Sequence, residues 1–205
     1  MLVVGLTGNI GSGKSSVARF LKDMGAKVID TDQVARNVVA PGTPGLQQIT
    51  LHFGTGVLNA DGTLDRPQMA QIVFNNRQAL ELLNSIVHPA IRAEVLEAIT
   101  DYKNIPDAPL LVIEAPLLIE TGMYKLVDQV WLVIVDAQTQ IQRVIERDAA
   151  TAEQVAGRLA AQMPQTDKLP YAQKVIDNSG TPESTLQQVQ QIWSDAIDRP
   201  QAQAE

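Results

Sequence analysis

Short, nearly continuous apolar runs alternate along the chain with longer segments in which apolar residues recur at helical spacing. The short runs predict five strands, at Leu2–Thr7, Lys27–Asp30, Leu110–Glu114, Gln129–Val135 and Lys174–Asp177. The longer segments predict helices near residues 14–24, 32–40, 68–75, 78–100, 138–162 and 183–197. Nearly continuous apolar strands are typical of a sheet that is covered on both faces. The alternation therefore predicts an α/β fold with a parallel five-stranded sheet between helices.

The stretch 41–109 is long for one crossover between neighbouring strands. It contains Pro41-Gly42, the turn Asp61-Gly62 and several helical segments. We interpret it as a helical insertion beside the sheet, within one domain over residues 1–198. The small and polar terminal residues 199–205 are predicted to be a disordered tail.

Composition excludes several classes of function. A chain of 205 residues that is 45% hydrophobic can bury a good core. The formal net charge of −7 argues against a nucleic-acid or anionic-membrane partner. The absence of cysteine excludes disulfides and thiolate ligands. With only two histidines in the sequence, a His-rich zinc site is not expected. Without a signal peptide or a membrane-length apolar run, the sequence predicts a cytoplasmic protein, monomeric or weakly homo-oligomeric.

The segment that follows the first strand, Gly8-Asn9-Ile10-Gly11-Ser12-Gly13-Lys14-Ser15, matches the pattern G-x-x-x-x-G-K-[ST]. Glycines let successive N–H groups point at phosphate oxygens, and the next helix adds the positive end of its dipole. Lys14 is suited to the β- and γ-phosphates, and the Ser15 hydroxyl to Mg²⁺. A merely flexible turn would have no use for the Lys-Ser pair. The residues predicted to bind a nucleoside triphosphate are Gly8, Gly11, Ser12, Gly13, Lys14, Ser15 and Ser16.

Motifs elsewhere in the chain distinguish between classes of triphosphate-binding proteins. The guanine motif N-K-x-D is absent, and the one D-x-x-G, at 177–180, comes too late for a GTPase switch. Small kinases instead place a carboxylate after the second strand and arginines on a late helical lid. Val28-Ile29-Asp30-Thr31-Asp32 supplies the carboxylates, and residues two apart on an extended chain face the same side. We predict Asp32 as the base for the acceptor hydroxyl, with Asp30 supporting it or Mg²⁺ through water. The alternative is that Asp32 caps the helix starting near Gln33.

Arginines recur in the segment predicted to be the lid. Arg143 and Arg147 are four residues apart and share one helical face, and Arg158 and Gln162 repeat that spacing. Such arginines can neutralise the charge of a transferred phosphoryl group. The alternative is a solvated face paired with acidic neighbours such as Asp148. The spacing alone leaves both interpretations open.

Taken together, these residues resemble the dephospho-coenzyme A kinase family over about residues 1–195. The matching segments are Leu6-Thr7-Gly8 through Ser15, Val28-Ile29-Asp30-Thr31-Asp32 with Ala35-Arg36, Phe53-Gly54, Asp61-Gly62, Leu64-Asp65-Arg66, His88-Pro89, Pro116-Leu117-Leu118-Ile119-Glu120, Arg147-Asp148 and Val175-Ile176-Asp177-Asn178. The phosphate-binding pattern is shared by many families. The ordered combination D-x-D with A-R, then H-P, then P-L-L-x-E is far more specific.

The resemblance implies a three-layer P-loop nucleoside triphosphate hydrolase fold with a helical substrate-binding insertion, about 41–109, and a helical lid, about 138–162. It implies ATP- and Mg²⁺-dependent phosphorylation of the ribose 3′-hydroxyl of dephospho-CoA, the last step of coenzyme A synthesis. Asp32 matches the family's base, with Lys14 and Arg147 as the other catalytic residues. The resemblance assigns Arg36, Arg66 and His88 to the acceptor, and Asn178 and Gly180 to a loop near the adenine. Our own site prediction adds Glu120 for the acceptor and Arg143 for the nucleotide.

Three positions depart from the family pattern: Asn9 replaces a usual glycine, Glu114 a common aspartate and Gln173 a frequent aspartate. Two further assignments have alternatives. Pro89 is suited to the first turn of a helix, with His88 only at the junction. Glu120 is suited either to capping the next helix or to lining the acceptor pocket.

Two other hypotheses compete with a dephospho-CoA kinase. One is a kinase of the same fold that acts on another small molecule or nucleoside. The other is a nucleotide-dependent regulatory module without phosphoryl transfer. Acceptor-dependent loss of ATP, compared between acceptors, distinguishes all three.

Overall fold

The computed structural model describes residues 1–74, 76–106, 108–149 and 151–197. Its strands are β1 (Leu2–Thr7), β2 (Lys27–Asp30), β3 (Leu110–Glu114), β4 (Gln129–Ile134) and β5 (Lys174–Asp177). Its α-helices are α1 (Lys14–Asp23), α2 (Thr31–Asn37), α3 (Pro44–Phe53), α4 (Arg66–Phe74), α5 (Arg77–Lys103), α6 (Ala137–Asp148), α7 (Ala152–Ala160), α8 (Gln165–Lys168) and α9 (Pro182–Ile197). Every predicted strand is present, and β4 ends one residue earlier than predicted.

The strands form one sheet in the order β2-β3-β1-β4-β5. β1 pairs in parallel with β3 and with β4, and β4 pairs in parallel with β5. Parallel pairing brings the carboxyl ends of β1 and β3 to the same edge, with Leu6 opposite Glu114. Ligands of open parallel sheets bind at this edge. The predicted α/β fold class is confirmed.

Met1–Ile29 and Ile99–Glu205 form one compact unit built on the sheet. β3 and β4 are buried over almost their whole length, as expected for strands covered on both faces. Helices α1 and α9 contribute Leu21 and Val189 to the core beside the strands. Trp131 is fully buried there, and Trp193 packs against the same cluster.

Asp30–Ala98 form a second compact unit, which contains α2, α3, α4 and most of α5. Its own core includes Val38, Val39, Ile49, Val57 and Met69. The helical character predicted for this part of the chain is confirmed, although the unit begins before residue 41 and ends before residue 109. The organisation as a single domain stays a prediction. Among the described residues, no helix is long and apolar enough to cross a membrane.

The prediction of a single helix over 138–162 is wrong, because the segment forms two helices. α6 ends before Ala149, which adopts a left-handed conformation with φ 48°. Thr151 begins α7 with a capping box, in which its side chain and that of Gln154 bond reciprocally to the backbone. Gln162 therefore lies beyond the end of α7 and does not continue the helical spacing from Arg158.

The structure also differs from the sequence analysis at Pro89 and at helix α3. Pro89 lies inside the 27-residue helix α5, so the interpretation of His88-Pro89 as a helix start is wrong. Helix α3 was not predicted individually, although Thr43 caps it and Pro44 occupies its first turn. The predicted tail 199–205 lies outside the described residues.

Candidate active site

Residues 8–16, here called the phosphate loop, follow β1 at the carboxyl edge of the sheet and include the first residues of α1. Gly13 is the N-cap residue of α1 with φ 85°, a conformation that favours glycine, and no described side chain caps this helix. A Cβ on Gly13 would collide with the amide nitrogen of Asn178. The uncapped start of α1 presents N–H groups and the positive end of the helix dipole, which suits an anion.

The Lys14 side chain folds back along the phosphate loop. Its Nζ donates a hydrogen bond of 2.7 Å to the Gly8 carbonyl and one of 3.5 Å to the Asn9 carbonyl. Lys14 is 9% exposed, so its charge lies in surroundings from which most water is excluded. A positive charge held there interacts more strongly with phosphate than one in bulk water.

Three buried side-chain polar atoms have no hydrogen-bond partner among the described residues: Asn9 Oδ1, Ser12 Oγ and Arg143 Nη1. Asn9 and Ser12 belong to the phosphate loop. Arg143 Nη1 lies 3.8 Å from the position that a Cβ on Gly13 would occupy. Buried polar atoms are rarely left without partners. Two of these three can donate hydrogen bonds, so the surroundings of the loop fit a ligand rich in acceptor oxygens, such as a phosphate chain.

Oxygen ligands for a hard cation meet at the start of α1. The Ser15 hydroxyl donates a hydrogen bond of 2.9 Å to Glu114 Oε1, at the carboxyl end of β3. A hydroxyl and a carboxylate are the donors that Mg²⁺ takes in phosphate-loop proteins, with water completing its shell. Across the described residues, no group of three His, Cys, Asp or Glu side chains could hold a metal ion. The two residues therefore fit a Mg²⁺ that is held largely by phosphate and water.

Asn178 supports the phosphate loop from the end of β5. Its Nδ2 donates to the Ser12 carbonyl at 2.8 Å, and its Oδ1 accepts a 2.8 Å hydrogen bond from Thr185. Asn178 and Thr185 are both buried. Gly180 lies two residues further on, and a Cβ there would lie 2.8 Å from the Ser184 hydroxyl oxygen. The resemblance places Asn178 and Gly180 near the adenine, and that role stays a prediction.

Arg147 and Arg158 both pair with Asp148. Arg147 Nε and Nη2 donate to the two Asp148 oxygens at 2.7 Å and 3.0 Å, and Arg158 Nη1 also contacts Oδ2. The hydrogen bond from Arg147 is the main cause that lowers the pKa of Asp148 to about 2, and Arg158 adds to it. The Asp148 carboxylate is therefore ionised down to about pH 2. The Arg147 side chain is 61% exposed, in contrast to the buried Nη1 of Arg143.

Glu120 forms an ion pair with a buried lysine, which sequence reasoning missed. Its Oε1 lies 3.0 Å from Nζ of Lys168, whose side chain is 0% exposed, and it accepts a 3.1 Å hydrogen bond from the Met163 N–H. Lys168 Nζ also donates to the Pro116 carbonyl at 3.0 Å. Removing Glu120 would leave the ammonium group of Lys168 buried without its carboxylate partner. These contacts tie two loops together, and no local sequence signal connects Lys168 to Glu120. A role of Glu120 in binding the acceptor stays a prediction.

The remaining predicted site residues lie in the unit formed by Asp30–Ala98. The side chain of Asp30, not that of Asp32, caps α2, by accepting a 2.8 Å hydrogen bond from the Asp32 N–H. The interpretation of Asp32 as the cap is therefore wrong. Asp32 and Arg36 lie four residues apart on α2, and Arg66 begins α4.

His88 lies within α5, and partial burial lowers its pKa below the ordinary value of 6.5. Burial has this effect because it disfavours the charged imidazolium. The neutral imidazole therefore predominates at pH 7. A neutral imidazole has one donor and one acceptor nitrogen, which suits hydrogen bonding better than charge neutralisation.

Comparison with known proteins gives a consistent result. The family model described as dephospho-CoA kinase matches residues 2–183. The dephospho-CoA kinase of Moorella thermoacetica is 46% identical over 195 residues, which is 95% of this chain and 92% of the relative. A crystal structure from Thermus thermophilus has a TM-score of 0.78 at 31% identity, covering 93% of this chain and 95% of that one. The dephospho-CoA kinase structure from Campylobacter jejuni has a TM-score of 0.72 at 26% identity, covering 95% and 96%. The chain belongs to the dephospho-CoA kinase family.

Proposed function

We propose that this protein transfers the γ-phosphoryl group of ATP to the ribose 3′-hydroxyl of dephospho-CoA, giving coenzyme A and ADP. Family membership over nearly the whole chain supports the choice of acceptor. The observation that carries the chemistry is the phosphate loop with Arg143 beside it. Ser12 Oγ and Arg143 Nη1 are buried donors without a hydrogen-bond partner among the described residues, and they accompany a helix start without a side-chain cap. In this reaction the acceptor oxygen bonds to the γ-phosphorus, the bond to the bridging oxygen of ADP breaks, and the hydroxyl loses its proton.

The phosphate loop binds the triphosphate, with hydrogen bonds from the Gly8–Ser16 backbone and charge from Lys14 and Arg143. Catalysis of phosphoryl transfer depends mainly on positioning and on stabilising charge that spreads over the transferred group. Arg147 is a further catalytic candidate, and in this role its guanidinium leaves Asp148 for the phosphates. Asn178 and Gly180 form the edge of the nucleotide site.

Ser15 is the proposed protein ligand of Mg²⁺, with Glu114 beside it. When bound, Mg²⁺ neutralises charge on the β- and γ-phosphate oxygens. Glu114 stands where the family commonly has Asp, and its 2.9 Å contact with Ser15 supports a sufficient reach for the longer side chain. The carboxylate orients the Ser15 hydroxyl through this hydrogen bond, which leaves a hydroxyl lone pair for the cation.

Asp32 is the proposed general base, which accepts the proton of the 3′-hydroxyl. Arg36 and Arg66 bind the anionic groups of the acceptor, and His88 donates or accepts a hydrogen bond as a neutral imidazole. Asp30 already caps α2, so the carboxylate of Asp32 is not required for that purpose. We also propose, from the sequence alone, a cytoplasmic location and a monomeric or weakly homo-oligomeric state.

A panel of acceptors tests the proposed function. We expect ATP consumption to depend on dephospho-CoA and to give stoichiometric coenzyme A, measured by coupled ADP release and by mass spectrometry of the product. AMP, shikimate and nucleosides serve as matched acceptors. A preference for one of them would indicate a different small-molecule kinase. Nucleotide binding without turnover of any acceptor would indicate a regulatory module.

Arg143→Ala is expected to reduce kcat/KM more than Arg147→Ala does. The buried Nη1 of Arg143 lies near the Gly13 backbone and has no hydrogen-bond partner in the described part of the chain, so its loss should cost roughly 10²-fold, as for removal of one preorganised donor. Arg147 is already paired with Asp148, so we expect a smaller fall in kcat and kcat/KM together. Steady-state kinetics and melting temperatures of the two variants check this. Normal turnover by both would show that α6 is only a packed helix.

A further inference from the structure

Ile10, in the phosphate loop, packs into the core that α6 and α7 share. This small core consists of Val144 from α6 and Val155 from α7, both fully buried, and the Ile10 side chain contacts it together with Ile145 and Leu159. A residue of the nucleotide-binding loop thus completes the hydrophobic contact between two helices that lie more than a hundred positions later in the chain.

The backbone of Ile10 is held by two glutamines. Its N–H donates a 2.9 Å hydrogen bond to Gln162 Oε1, from the segment after α7. Its carbonyl accepts a 2.8 Å hydrogen bond from Gln140 Nε2, on α6. We call Ile10 with Gln140 and Gln162 the Ile10 latch. Both polar groups of the residue have partly buried side-chain partners, so the loop cannot separate from α6 and α7 without losing both bonds.

Neighbouring loop residues add to the same contact. Asn9 Nδ2 donates a 3.1 Å hydrogen bond to the Met163 carbonyl. Gly11 has φ 78°, and a Cβ there would lie 2.7 Å from Val144 Cγ2 and 2.8 Å from the Gln140 carbonyl. The backbone of the loop therefore lies directly against α6, with no space for a side chain between them.

The Ile10 latch also determines where Arg143 lies. Gln140, Arg143 and Val144 are three and four residues apart on α6 and share one face of the helix. Gln140 bonds to Ile10, and Val144 packs on it, so the intervening Arg143 is held beside Gly13 with its Nη1 buried. A displacement of α6 from the loop would carry this guanidinium away from the bound phosphates.

We propose that Gln140 and Gln162 are positioning residues that couple the α6–α7 pair to the phosphate loop, so that nucleotide binding and the docked position of these helices stabilise each other. The proposal rests on the function proposed above. The role proposed for Gln162 comes from its hydrogen bond to Ile10 and not from a helical face shared with Arg158, because α7 ends before Gln162. Thermodynamic linkage requires the effect to act in both directions. ATP should hold the helices in place, and the docked helices should strengthen ATP binding.

Gln162→Leu and Gln140→Leu test the kinetic half of the proposal. Each removes one hydrogen bond to Ile10 at nearly constant side-chain size and leaves a partly buried backbone group unpaired. We expect KM for ATP to rise by about tenfold, with KM for dephospho-CoA within about twofold of the wild-type value. Gln142→Leu is the matched control, because Gln142 is an exposed residue of α6 whose side chain bonds to Glu146 at 2.9 Å. Equal changes in both KM values, or an unchanged KM for ATP, would overturn the proposal.

Hydrogen exchange tests the reciprocal half without requiring turnover. We expect adenylyl-imidodiphosphate with Mg²⁺ to slow amide exchange in Ala152–Ala160 of the wild-type protein and of Gln142→Leu. At saturating analogue, both latch variants should lose most of this protection. Protection that persists in them would show that the glutamines are structural only.

Circular dichroism establishes that each variant is folded before it is measured. If Gln162→Leu does not fold, Gln140→Leu removes the other hydrogen bond of the same residue and decides the result. Amide hydrogen exchange in the presence of the ATP analogue is measured without dephospho-CoA, so it does not depend on phosphoryl transfer. A wild-type protein that binds the analogue but does not phosphorylate dephospho-CoA would therefore contradict the proposed function while leaving the latch testable.

Discussion

Lys14→Ala is expected to lower kcat by at least about 10³-fold, while the protein stays folded. Lys14 Nζ is a buried positive charge at the centre of the phosphate loop, where it interacts strongly with the charge of the transferred phosphoryl group. The structure adds a second consequence. The 2.7 Å hydrogen bond to the Gly8 carbonyl is also lost, so the loop is less well ordered before ATP binds. Steady-state kinetics with ATP and dephospho-CoA measure the effect.

Lys22→Ala is the matched control, because Lys22 is an exposed lysine in the last turn of the same helix. The substitution removes one positive charge from α1 at the end of the helix opposite the phosphate loop, so we expect nearly normal turnover. Lys14→Met keeps most of the aliphatic stem and should be as inactive as Lys14→Ala. Near wild-type activity in a folded Lys14 variant would contradict the assignment of the loop to phosphate binding.

Local patterns predicted the sheet and the glycine-rich turn between β1 and α1, because both depend on residues that are close in sequence. A continuous apolar run such as Leu110–Glu114 requires burial on both faces, and the structure has this strand with the predicted bounds. The spacing of Gly8, Gly13 and Lys14 reflects the backbone path of the loop itself. The positive φ of Gly13 agrees with the backbone turn for which the pattern needs glycine.

The break between α6 and α7 had a local signal that the prediction over 138–162 did not use. Thr151 and Gln154 have the spacing of a capping box, which marks the start of a new helix. Asp30 and Asp32 give a similar case. Both are aspartates, and aspartate is suited to the N-cap of a helix. Which of the two is the cap depends on whether α2 begins at Thr31, as observed, or two residues later, as predicted.

The supports of the loop were not predictable from local patterns, because they join residues that are distant in sequence. Gln140 and Gln162 reach Ile10 across 130 and 152 positions, and Asn178 reaches Ser12 across 166. The ion pair of Lys168 with Glu120 depends on the fold in the same way. A single glutamine or lysine has no spacing that identifies its partner. Only the packing of the elements brings these side chains to the loop.

Asp32→Asn is expected to lower kcat by roughly 10²–10⁴-fold, the usual contribution of a general base. The substitution keeps the size of the side chain and removes the carboxylate that would accept the proton of the 3′-hydroxyl. KM for ATP should change little, because Asp32 has no proposed contact with the nucleotide. The structure also predicts nearly unchanged stability, since the cap of α2 is made by Asp30. Kinetics and thermal melting of the same preparation measure both quantities.

Asp61→Asn is the control for loss of a carboxylate in the same unit of the chain. Asp61 lies in an exposed turn, where its Oδ1 accepts hydrogen bonds from the N–H and the hydroxyl of Thr63, and asparagine keeps an oxygen for them. We expect turnover within about twofold of wild type, because the residue contributes only to the turn. The opposite pattern, a normal kcat with a lowered melting temperature in Asp32→Asn, would show that Asp32 stabilises α2. The proton of the acceptor hydroxyl would then have to pass to another group.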